Sequence, residues 1–255
     1  MNNKEAKWRK ERCGYISASE LKATFFGKKG QLLKSTEDYI SQKRFERQRG
    51  YSLIKRGRAL DIGKEHEVYI INWLREHYPK LDIVHSLDDN EFEETPFTKV
   101  DWANFGASLD ATTRDKKIIF ELKTLVGNEN VYFYDDKTIP EEKKREAVLE
   151  EHGKQILGQL LAVPEAEEIW LVKYIPQMDD NDIDTNPSTD EYRGKVFKFN
   201  RLEFIEELQN LKHHIIMIDF FIQTKLSPDK IKNCGLTTYI DDTGGTRKVR
   251  YELNY

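Results

Sequence analysis

The spacing of apolar residues along the chain changes from a helical to an extended pattern near residue 82. Upstream, apolar side chains recur every three to four residues, as on one face of an amphipathic helix. Downstream, short apolar runs between polar turns favour strands, interrupted by two further stretches with helical spacing. Strands with helices on both sides along the chain predict an α/β (α+β) fold with a central mixed β-sheet flanked by helices. The predicted elements are a basic segment leading into a helix over 8–26, helices over 36–56 and 58–78, strands at 83–84 and 92–98, a hairpin of 105–113 with 118–125, a loop at 135–140, a helix over 141–163, a strand at 169–172, an acidic loop at 178–191, an edge strand at 196–199, a helix over 201–223 and a C-terminal hairpin.

The composition excludes membrane proteins and cysteine-based metal sites. Charged residues make up 34% of the 255 residues, and no apolar run approaches the roughly 20 residues that a membrane-spanning helix needs. The N-terminus lacks the apolar stretch of a secretory signal, so we expect a cytoplasmic protein with no membrane partner. Cys13 and Cys234 are far apart in the sequence, which excludes a disulfide framework, a structural zinc site and an iron–sulfur cluster.

Charge is distributed unevenly along the chain. The net charge is −4, but residues 1–64 (the basic front) contain 17 Lys and Arg against 7 Asp and Glu, whereas the remainder contains 24 against 38. A basic cluster of this kind is a candidate surface for a polyanion such as nucleic acid. The alternative is a solvated face that binds nothing.

Two acidic residues in the predicted hairpin are the most informative feature of the sequence. If Thr113 pairs with Ile118 across the turn, the antiparallel register places Asp110 directly opposite Glu121. Opposed residues have Cβ atoms about 5 Å apart, and like charges in that arrangement are destabilising unless something neutralises them. A hard divalent cation such as Mg²⁺ would do so, because it binds carboxylate oxygens and works beside phosphates.

The alternation of side chains along the second hairpin strand adds a lysine to this pair. Lys123 lies two residues after Glu121 and therefore points to the same face, while Phe120 and Leu122 point into the core. An ammonium group there could orient or help to deprotonate a metal-bound water, or offset charge at a phosphate. The alternative is a surface hairpin with an ordinary Glu-x-Lys ion pair, and the spacing alone does not decide between the two.

A third carboxylate lies on the apolar face of the preceding helix. Glu67 is separated from Leu60, Ile71 and Leu74 by near-integral numbers of turns, which places all four side chains on one face. A carboxylate there is costly unless it is paired or binds a metal ion. Glu67 is therefore a candidate member of the same site, and the alternative is a side chain at the edge of the stripe that reaches solvent.

Two weaker signals come from other parts of the chain. Gln155 and Gln159 are one turn apart on a predicted helix, beside its core stripe, and could face the hairpin or be ordinary surface residues. Arg12 and Ser19 lie near a predicted helix start, where a guanidinium, a hydroxyl and main-chain N–H groups could bind a phosphate. The alternative for this second pair is a capping box, Ser17–Glu20, beside a solvated arginine.

Several short segments occur in an order known from one protein family. They are Trp8-x-x-x-Arg12-x-Gly14-x-Ile16-Ser17-Ala18-Ser19, Gly63-Lys64-Glu65-His66-Glu67, Gly106-Ala107-Ser108-Leu109-Asp110, Phe120-Glu121-Leu122-Lys123-Thr124 and Gln155-x-x-x-Gln159-Leu160. In this order they resemble the lambda exonuclease or YqaJ-like viral recombinase family, a branch of the PD-(D/E)xK nuclease superfamily. The resemblance covers about residues 8–176, and Leu109 stands where the superfamily often has a proline.

The resemblance implies a restriction-endonuclease-like core and a magnesium-dependent 5′→3′ exonuclease. Such an enzyme degrades one strand of linear double-stranded DNA for phage-type single-strand-annealing recombination, in the cytoplasm of a bacterial host. Mn²⁺ is an alternative ion, and the implied partners are double-stranded DNA ends, an annealing protein and further copies of the chain in a trimer. Carried over by position, the implied metal ligands are Asp110, Glu121, the Leu122 carbonyl and Glu67, and the implied catalytic residues are Lys123, these acidic residues and Gln155. Gln155 is the implied helix glutamine of the motif, although Gln159 is close enough that the choice between them stays open. Arg12 and Ser19 are implied to bind a DNA 5′-phosphate.

Within a single nuclease domain over 1–255, we expect three parts. The basic front would bind the DNA end, residues 65–176 would form the catalytic core, and residues 177–255 would supply a loop, a helix and a tail. The alternatives are a structure-selective endonuclease or repair nuclease of the same superfamily, and a non-catalytic DNA-end-binding scaffold for recombination. Every acidic and basic position of the motifs is present, which disfavours the scaffold.

Overall fold

The computed structural model describes most of the chain. The described residues are 10–24, 33–51, 58–85, 97–125, 133–134, 136–174, 194–224, 236–241 and 248–253, with the main chain alone described for 58–62, 64–65 and the last two ranges. In chain order, the elements are β1 (Ile16–Ser17), a 3-10 helix (Ala18–Ala23), α1 (Lys34–Arg49), α2 (Arg58–His77), β2 (Ile83–His85), β3 (Phe97–Lys99), β4 (Phe105–Ser108), β5 (Ala111–Thr113), β6 (Ile118–Thr124), α3 (Glu141–Ala162), β7 (Glu168–Tyr174), β8 (Gly194–Asn200), a 3-10 turn (Arg201–Phe204), α4 (Ile205–Thr224), β9 (Leu236–Asp241) and β10 (Lys248–Leu253).

A five-stranded mixed sheet in the order β2-β5-β6-β7-β8 forms the centre of the fold. β6 and β7 are parallel and are joined by α3, because parallel neighbours need a crossover connection, while the other neighbours are antiparallel. One face packs on α2, in an apolar cluster that includes Phe120 and Ile71, and the other packs on α3, in a cluster that includes Ile119 and Ile156. The predicted α/β fold with a central mixed sheet between helices is confirmed.

A smaller sheet in the order β1-β4-β3 attaches the N-terminal segment to this core. β1 runs parallel to β4, with Ser17 paired to Gly106. A Cβ atom at Gly106 would lie 2.5 Å from the carbonyl oxygen of Thr98, so glycine permits the close approach of β3. Gly158 plays the same part on α3, where a Cβ atom would lie 2.8 Å from the side chain of Leu21 in the 3-10 helix. The Gly158 contact holds the N-terminal segment against α3, and the Gly106 contact holds β3 against β4, the strand that pairs with β1.

The predicted hairpin is right in register but wrong in the extent of its first strand. β5 and β6 pair with Ala111 opposite Phe120, which is the predicted register. One continuous strand over 105–113 is not formed, because β4 and β5 belong to different sheets. Asp110 lies at the bend between them, one position beyond the last pair, so it faces Glu121 from the end of the ladder and not from within it.

The predicted helix and capping box near the N-terminus are also corrected. A six-residue 3-10 helix follows a strand, and the side chain of Ser17 makes no capping hydrogen bond. The Ser17 hydroxyl instead accepts a hydrogen bond from Arg12 and is bonded to Ser19. Glu20, the other member of the predicted box, binds side chains of α1. Tertiary contacts have replaced the local motif.

The first long helix is shorter than predicted and buries part of its charged face. α1 ends at Arg49, because Gly50 adopts the left-handed conformation (φ 74°) that terminates many helices. Lys43 and Glu46 on this helix are buried, with 1% and 0% of their surface exposed. Although the charged residues of α1 have the spacing of a solvated face, Lys43 and Glu46 form a buried ion pair.

Most other elements are confirmed within a few residues. The helices over 58–78, 141–163 and 201–223, the strands at 83–84 and 169–172, the edge strand at 196–199 and the C-terminal antiparallel pair are all present. The strand predicted over 92–98 is described only from Phe97, and the acidic loop at 178–191 and the turn of the C-terminal hairpin, over 242–247, lie outside the described residues. Among the helices that the structure describes, none combines the length and apolarity needed to cross a membrane.

Candidate active site

Asp110 is held against the edge of β6 at the point where β5 ends. Its Oδ2 accepts a hydrogen bond from the main-chain N–H of Leu122 at 2.8 Å, which takes the place of the next rung of the β5–β6 ladder. Because the N–H and C=O groups of one strand residue point to the same side, the Leu122 carbonyl faces this edge as well. The structure thus brings together the Asp110 carboxylate and the Leu122 carbonyl, two of the predicted metal ligands.

Glu121 is a buried carboxylate on the face of β6 that packs against α3. Only 2% of its surface is exposed. Gln155 donates a hydrogen bond to its Oε1 at 2.6 Å, and Gln159 donates one to its Oε2. The sequence could not choose between the two glutamines, and the structure brings both to the same carboxylate. Gln159, expected beside the core stripe, is itself buried.

Lys123 completes a compact group of charges. Its Nζ lies 2.5 Å from Oε1 of Glu121, on the face that strand alternation predicts, while Phe120 and Leu122 pack on the α2 side. Burial lowers the pKa of Lys123, but the negative charges of Glu121 and Asp110 outweigh burial and raise that pKa above its ordinary value. The ammonium group therefore stays charged at neutral pH.

Negative charge is in excess at Asp110. Burial raises the pKa of Asp110 well above its ordinary value, and the charges of Glu121 and Glu67 raise it further against the opposing effect of Lys123. Crowded, desolvated carboxylates favour the neutral form unless another positive charge is near. The site is therefore suited to a cation.

Glu67 approaches the site from α2. Its carboxylate acts electrostatically on Asp110, and its Oε2 lies 3.9 Å from Nε2 of His85 on β2. The side chain is 22% exposed, whereas Ile71, one turn later, is buried. Glu67 thus faces the site and also reaches solvent, while the side chain of Leu60 lies outside the described residues.

The donor set fits Mg²⁺ better than a metal that needs many protein ligands. In the part of the chain that the structure describes, no three or more His, Cys, Asp and Glu side chains are arranged to hold an ion by themselves. Mg²⁺ typically keeps several waters and takes one or two carboxylates together with phosphate oxygens, and Asp110 and Glu121 supply that number. The side-chain oxygen of Gln159 is buried without a hydrogen-bond partner among the described residues, so it could accept a bond from an ion-bound water.

Arg12, Ser17 and Ser19 form a separate polar group at the start of the 3-10 helix. Nη2 of Arg12 is 3.3 Å from Oγ of Ser17, which is 3.0 Å from Oγ of Ser19. Arg12 also lies 3.8 Å from a carboxylate oxygen of Glu20. The structure brings Arg12 and Ser19 together and adds Ser17, which the sequence analysis did not assign. Pairing of β1 with β4 connects this group to the strand that leads to Asp110.

Three residues that the sequence analysis missed lie next to Lys123. Lys173 on β7 is its partner in the parallel register, and its Nζ is 3.0 Å from Oε2 of Glu151 and 2.9 Å from Nε2 of His152. His152 precedes Gln155 by three residues on α3, so helical spacing could have found it. Lys173 could not be found in this way, because its position depends on the pairing of β6 with β7.

Solved structures with a similar fold are exonucleases by name. LHK-Exo in complex with dAMP is 18% identical, with a TM-score of 0.55 over 89% of this chain and 97% of that chain. An alkaline exonuclease (LHK-Exo) from Laribacter hongkongensis is 16% identical, with a TM-score of 0.53 over 89% and 96%. A phage-related exonuclease from Haemophilus somnus 129PT is 15% identical, with a TM-score of 0.55 over 86% and 96%. No protein-family model and no curated protein matches the sequence.

These likenesses establish the class of fold. The chain has the α/β nuclease fold of these solved structures over most of its length. The fold that the order of the motifs predicts is therefore confirmed. Because the identities lie between 15% and 18%, the activity has to be argued from the site.

Proposed function

We propose that the protein is a magnesium-dependent 5′→3′ exonuclease that degrades one strand of linear double-stranded DNA. The observation that carries this proposal is the meeting of Asp110, Glu121 and Lys123 where β5 ends beside β6. Paired carboxylates for an ion and an ammonium for a phosphate are the groups that metal-assisted phosphodiester hydrolysis needs. The names of the similar structures support an exonuclease activity, and one of those proteins is in complex with dAMP.

Four groups of this chain would hold the ion. Asp110 and Glu121 would supply carboxylate oxygens, Leu122 a carbonyl oxygen, and Glu67 would contribute directly or through a water. When bound, Mg²⁺ supplies Lewis-acid chemistry, polarising a phosphate and acidifying a water. Mn²⁺ is the alternative ion, because the same oxygen donors suit it.

The other side chains of the site position and compensate these charges. Gln155 and Gln159 each bind one oxygen of Glu121 and so fix the plane of its carboxylate. Lys123 carries the positive charge that can offset the negative charge developing on the phosphate oxygens during attack.

The preference for a 5′ end is assigned to Arg12, Ser17 and Ser19. A guanidinium with hydroxyl groups suits a terminal phosphate, which accepts several hydrogen bonds. The 3-10 helix carrying Ser19 packs on α3, the helix whose glutamines bind Glu121, so the two groups lie on neighbouring elements. The basic front would add affinity that does not depend on sequence and that weakens with salt. The recombination role, the annealing partner and the trimer stay predictions.

Digestion of labelled DNA tests the proposal. A linear duplex with 5′-phosphates, labelled at one 3′ end, is incubated with the protein and either Mg²⁺ or EDTA, beside a closed circular duplex. We expect progressive shortening from the 5′ ends with Mg²⁺ alone, and an intact circle. Cutting of the circle would support the endonuclease alternative, and end binding without digestion would support the scaffold.

A further inference from the structure

Lys173 is a buried cation one strand away from Lys123. The parallel register of β6 and β7 places the two side chains next to each other on the face that packs against α3. The side chain of Lys173 is 4% exposed, against 28% for Lys123. A buried ammonium group is costly unless an opposite charge lies close to it.

α3 supplies the partners of this buried lysine. Its Nζ donates to Oε2 of Glu151 at 3.0 Å and contacts Nε2 of His152 at 2.9 Å. The ring of Tyr134 lies 5.0 Å from the same Nζ. Burial, and then the charge of Lys173, lower the pKa of His152 to about 4, and Nε2 of His152 also lies 3.2 Å from Oε2 of Glu151. Glu151 is thus the carboxylate that balances the charge of Lys173.

Glu151 is also within electrostatic reach of Lys123. Two carboxylates can therefore compete for Lys123, namely the buried Glu121 and Glu151, whose side chain is 60% exposed. In the structure, Nζ of Lys123 pairs with Oε1 of Glu121 at 2.5 Å. Glu151 is already paired with Lys173, which removes most of its attraction for a second ammonium group.

We infer that Lys173 is a positioning residue that keeps Lys123 on the side of Glu121 and Asp110 by neutralising Glu151. The inference deepens the proposed function, since it concerns the lysine assigned to that reaction. Without Lys173, the carboxylate of Glu151 would be unpaired and would draw Lys123 away from the site. Repulsion between the ammonium groups of Lys173 and Lys123 also favours the position of Lys123 beside Glu121.

A charge-removing variant and its second-site partner test the inference. Lys173→Met keeps an unbranched apolar side chain, and the carboxylate that it leaves without its partner, Glu151, is 60% exposed, so no fully buried charge is left uncompensated. We expect the kcat for linear duplex DNA to fall about tenfold with KM changed less than about twofold, because positioning is lost and binding is not. Adding Glu151→Gln should restore kcat to within about threefold of wild type, because it removes the competing charge.

The neighbouring strand offers a matched control. Lys195 pairs with Lys173 in the β7–β8 register and forms an ion pair with Glu141 at 2.6 Å. Lys195→Met makes the same chemical change one strand further from the site and should leave kcat unchanged. A similar loss in both lysine variants would overturn the inference, and so would a double variant no more active than Lys173→Met.

A measurement on the metal-free protein separates this inference from the proposed function. The ¹⁵N resonance of the Lys123 ammonium should move in Lys173→Met and return towards its original position in the double variant with Glu151→Gln. An unmoved resonance would contradict the positioning role even if the enzyme digests DNA. Wild-type protein that is inert on DNA, with the resonance behaving as expected, would instead refute the exonuclease proposal alone.

Discussion

Two buried clusters of charged side chains in this protein differ in how far their carboxylates are compensated by hydrogen bonds and positive charge. In the N-terminal part, Lys43 lies between Glu20 and Glu46, at 3.1 and 3.0 Å. In the central part, Lys123 pairs with Glu121 at 2.5 Å, while the nearby carboxylate of Asp110 is bound by a main-chain N–H group. Both clusters contain more acidic than basic groups, so the count of charges does not distinguish them.

The pKa of the buried carboxylates does distinguish the two clusters. Burial raises the pKa of Glu46, but hydrogen bonds from Gln42, Lys43 and Gly14 and the charge of Lys43 outweigh burial and lower it below its ordinary value. The pKa of Asp110 is well above its ordinary value, because burial and neighbouring carboxylates act together. A buried carboxylate whose negative charge is compensated by hydrogen bonds and a cation stabilises the fold. A buried carboxylate whose negative charge is not compensated indicates a functional site.

The largest expected effect is on activity in the central cluster. Glu121→Ala removes one of the two ion-binding carboxylates, and we expect the rate of digestion with Mg²⁺ to fall by about 10³ or more. Binding of linear duplex should persist, since the basic front is unchanged. Glu150→Ala, at an exposed position of α3, is the control. Digestion by Glu121→Ala at the wild-type rate would contradict the assignment of the central cluster as the active site.

The same kind of truncation in the N-terminal cluster should act on stability. Glu46→Ala leaves Lys43 buried with one of its two carboxylates missing, so we expect the free energy of unfolding to fall by about 3 kcal/mol. Urea denaturation of the metal-free protein measures this change. An unchanged denaturation midpoint would show that the N-terminal cluster is not the structural one.

Removing the charge of Asp110 should raise the free energy of unfolding, whereas Glu46→Ala should lower it. Because its pKa is raised in the folded state, the folded protein binds this proton more tightly than the unfolded chain. The resulting stabilisation is complete below the ordinary pKa of 3.8 and is lost as the pH rises through the folded-state pKa. Asp110→Asn has no such loss, so at neutral pH in EDTA we expect its free energy of unfolding to exceed that of wild type. Equal stability across the pH range would contradict the charge imbalance.

The smallest expected effect concerns the choice of DNA end. Arg12→Ala should reduce the preference for 5′-phosphorylated over 5′-hydroxyl ends by about tenfold, because a guanidinium–phosphate contact is lost. Competition between the two substrates in one reaction measures this ratio directly. A loss of the same size on hydroxyl ends would show that Arg12 supports the fold or general DNA affinity and does not read the phosphate.

Local patterns were sufficient to predict the centre of the site. Side-chain alternation fixed the faces of Glu121 and Lys123, and the four-residue turn fixed the β5–β6 register that brings Asp110 near them. Helical spacing placed Gln155 and Gln159 on one side of α3. Each of these relations involves residues within one element or across one turn, where geometry is set by the main chain.

Features that depend on distant pairing could not be predicted. The break before Asp110 arises because β4 joins β1 and β3 in a second sheet. Lys173 reaches the site only through the pairing of β6 with β7. Lys43 and Glu46 have the spacing of an ordinary surface ion pair, and their burial follows from how α1 packs against the N-terminal segment.

Calorimetric titration of the metal-free protein with Mg²⁺ addresses the ion site without reference to DNA. If Asp110 and Glu121 hold one ion jointly, wild type binds Mg²⁺, and Asp110→Asn and Glu121→Gln each bind it at least about tenfold more weakly. Equal affinity in all three proteins would contradict the account.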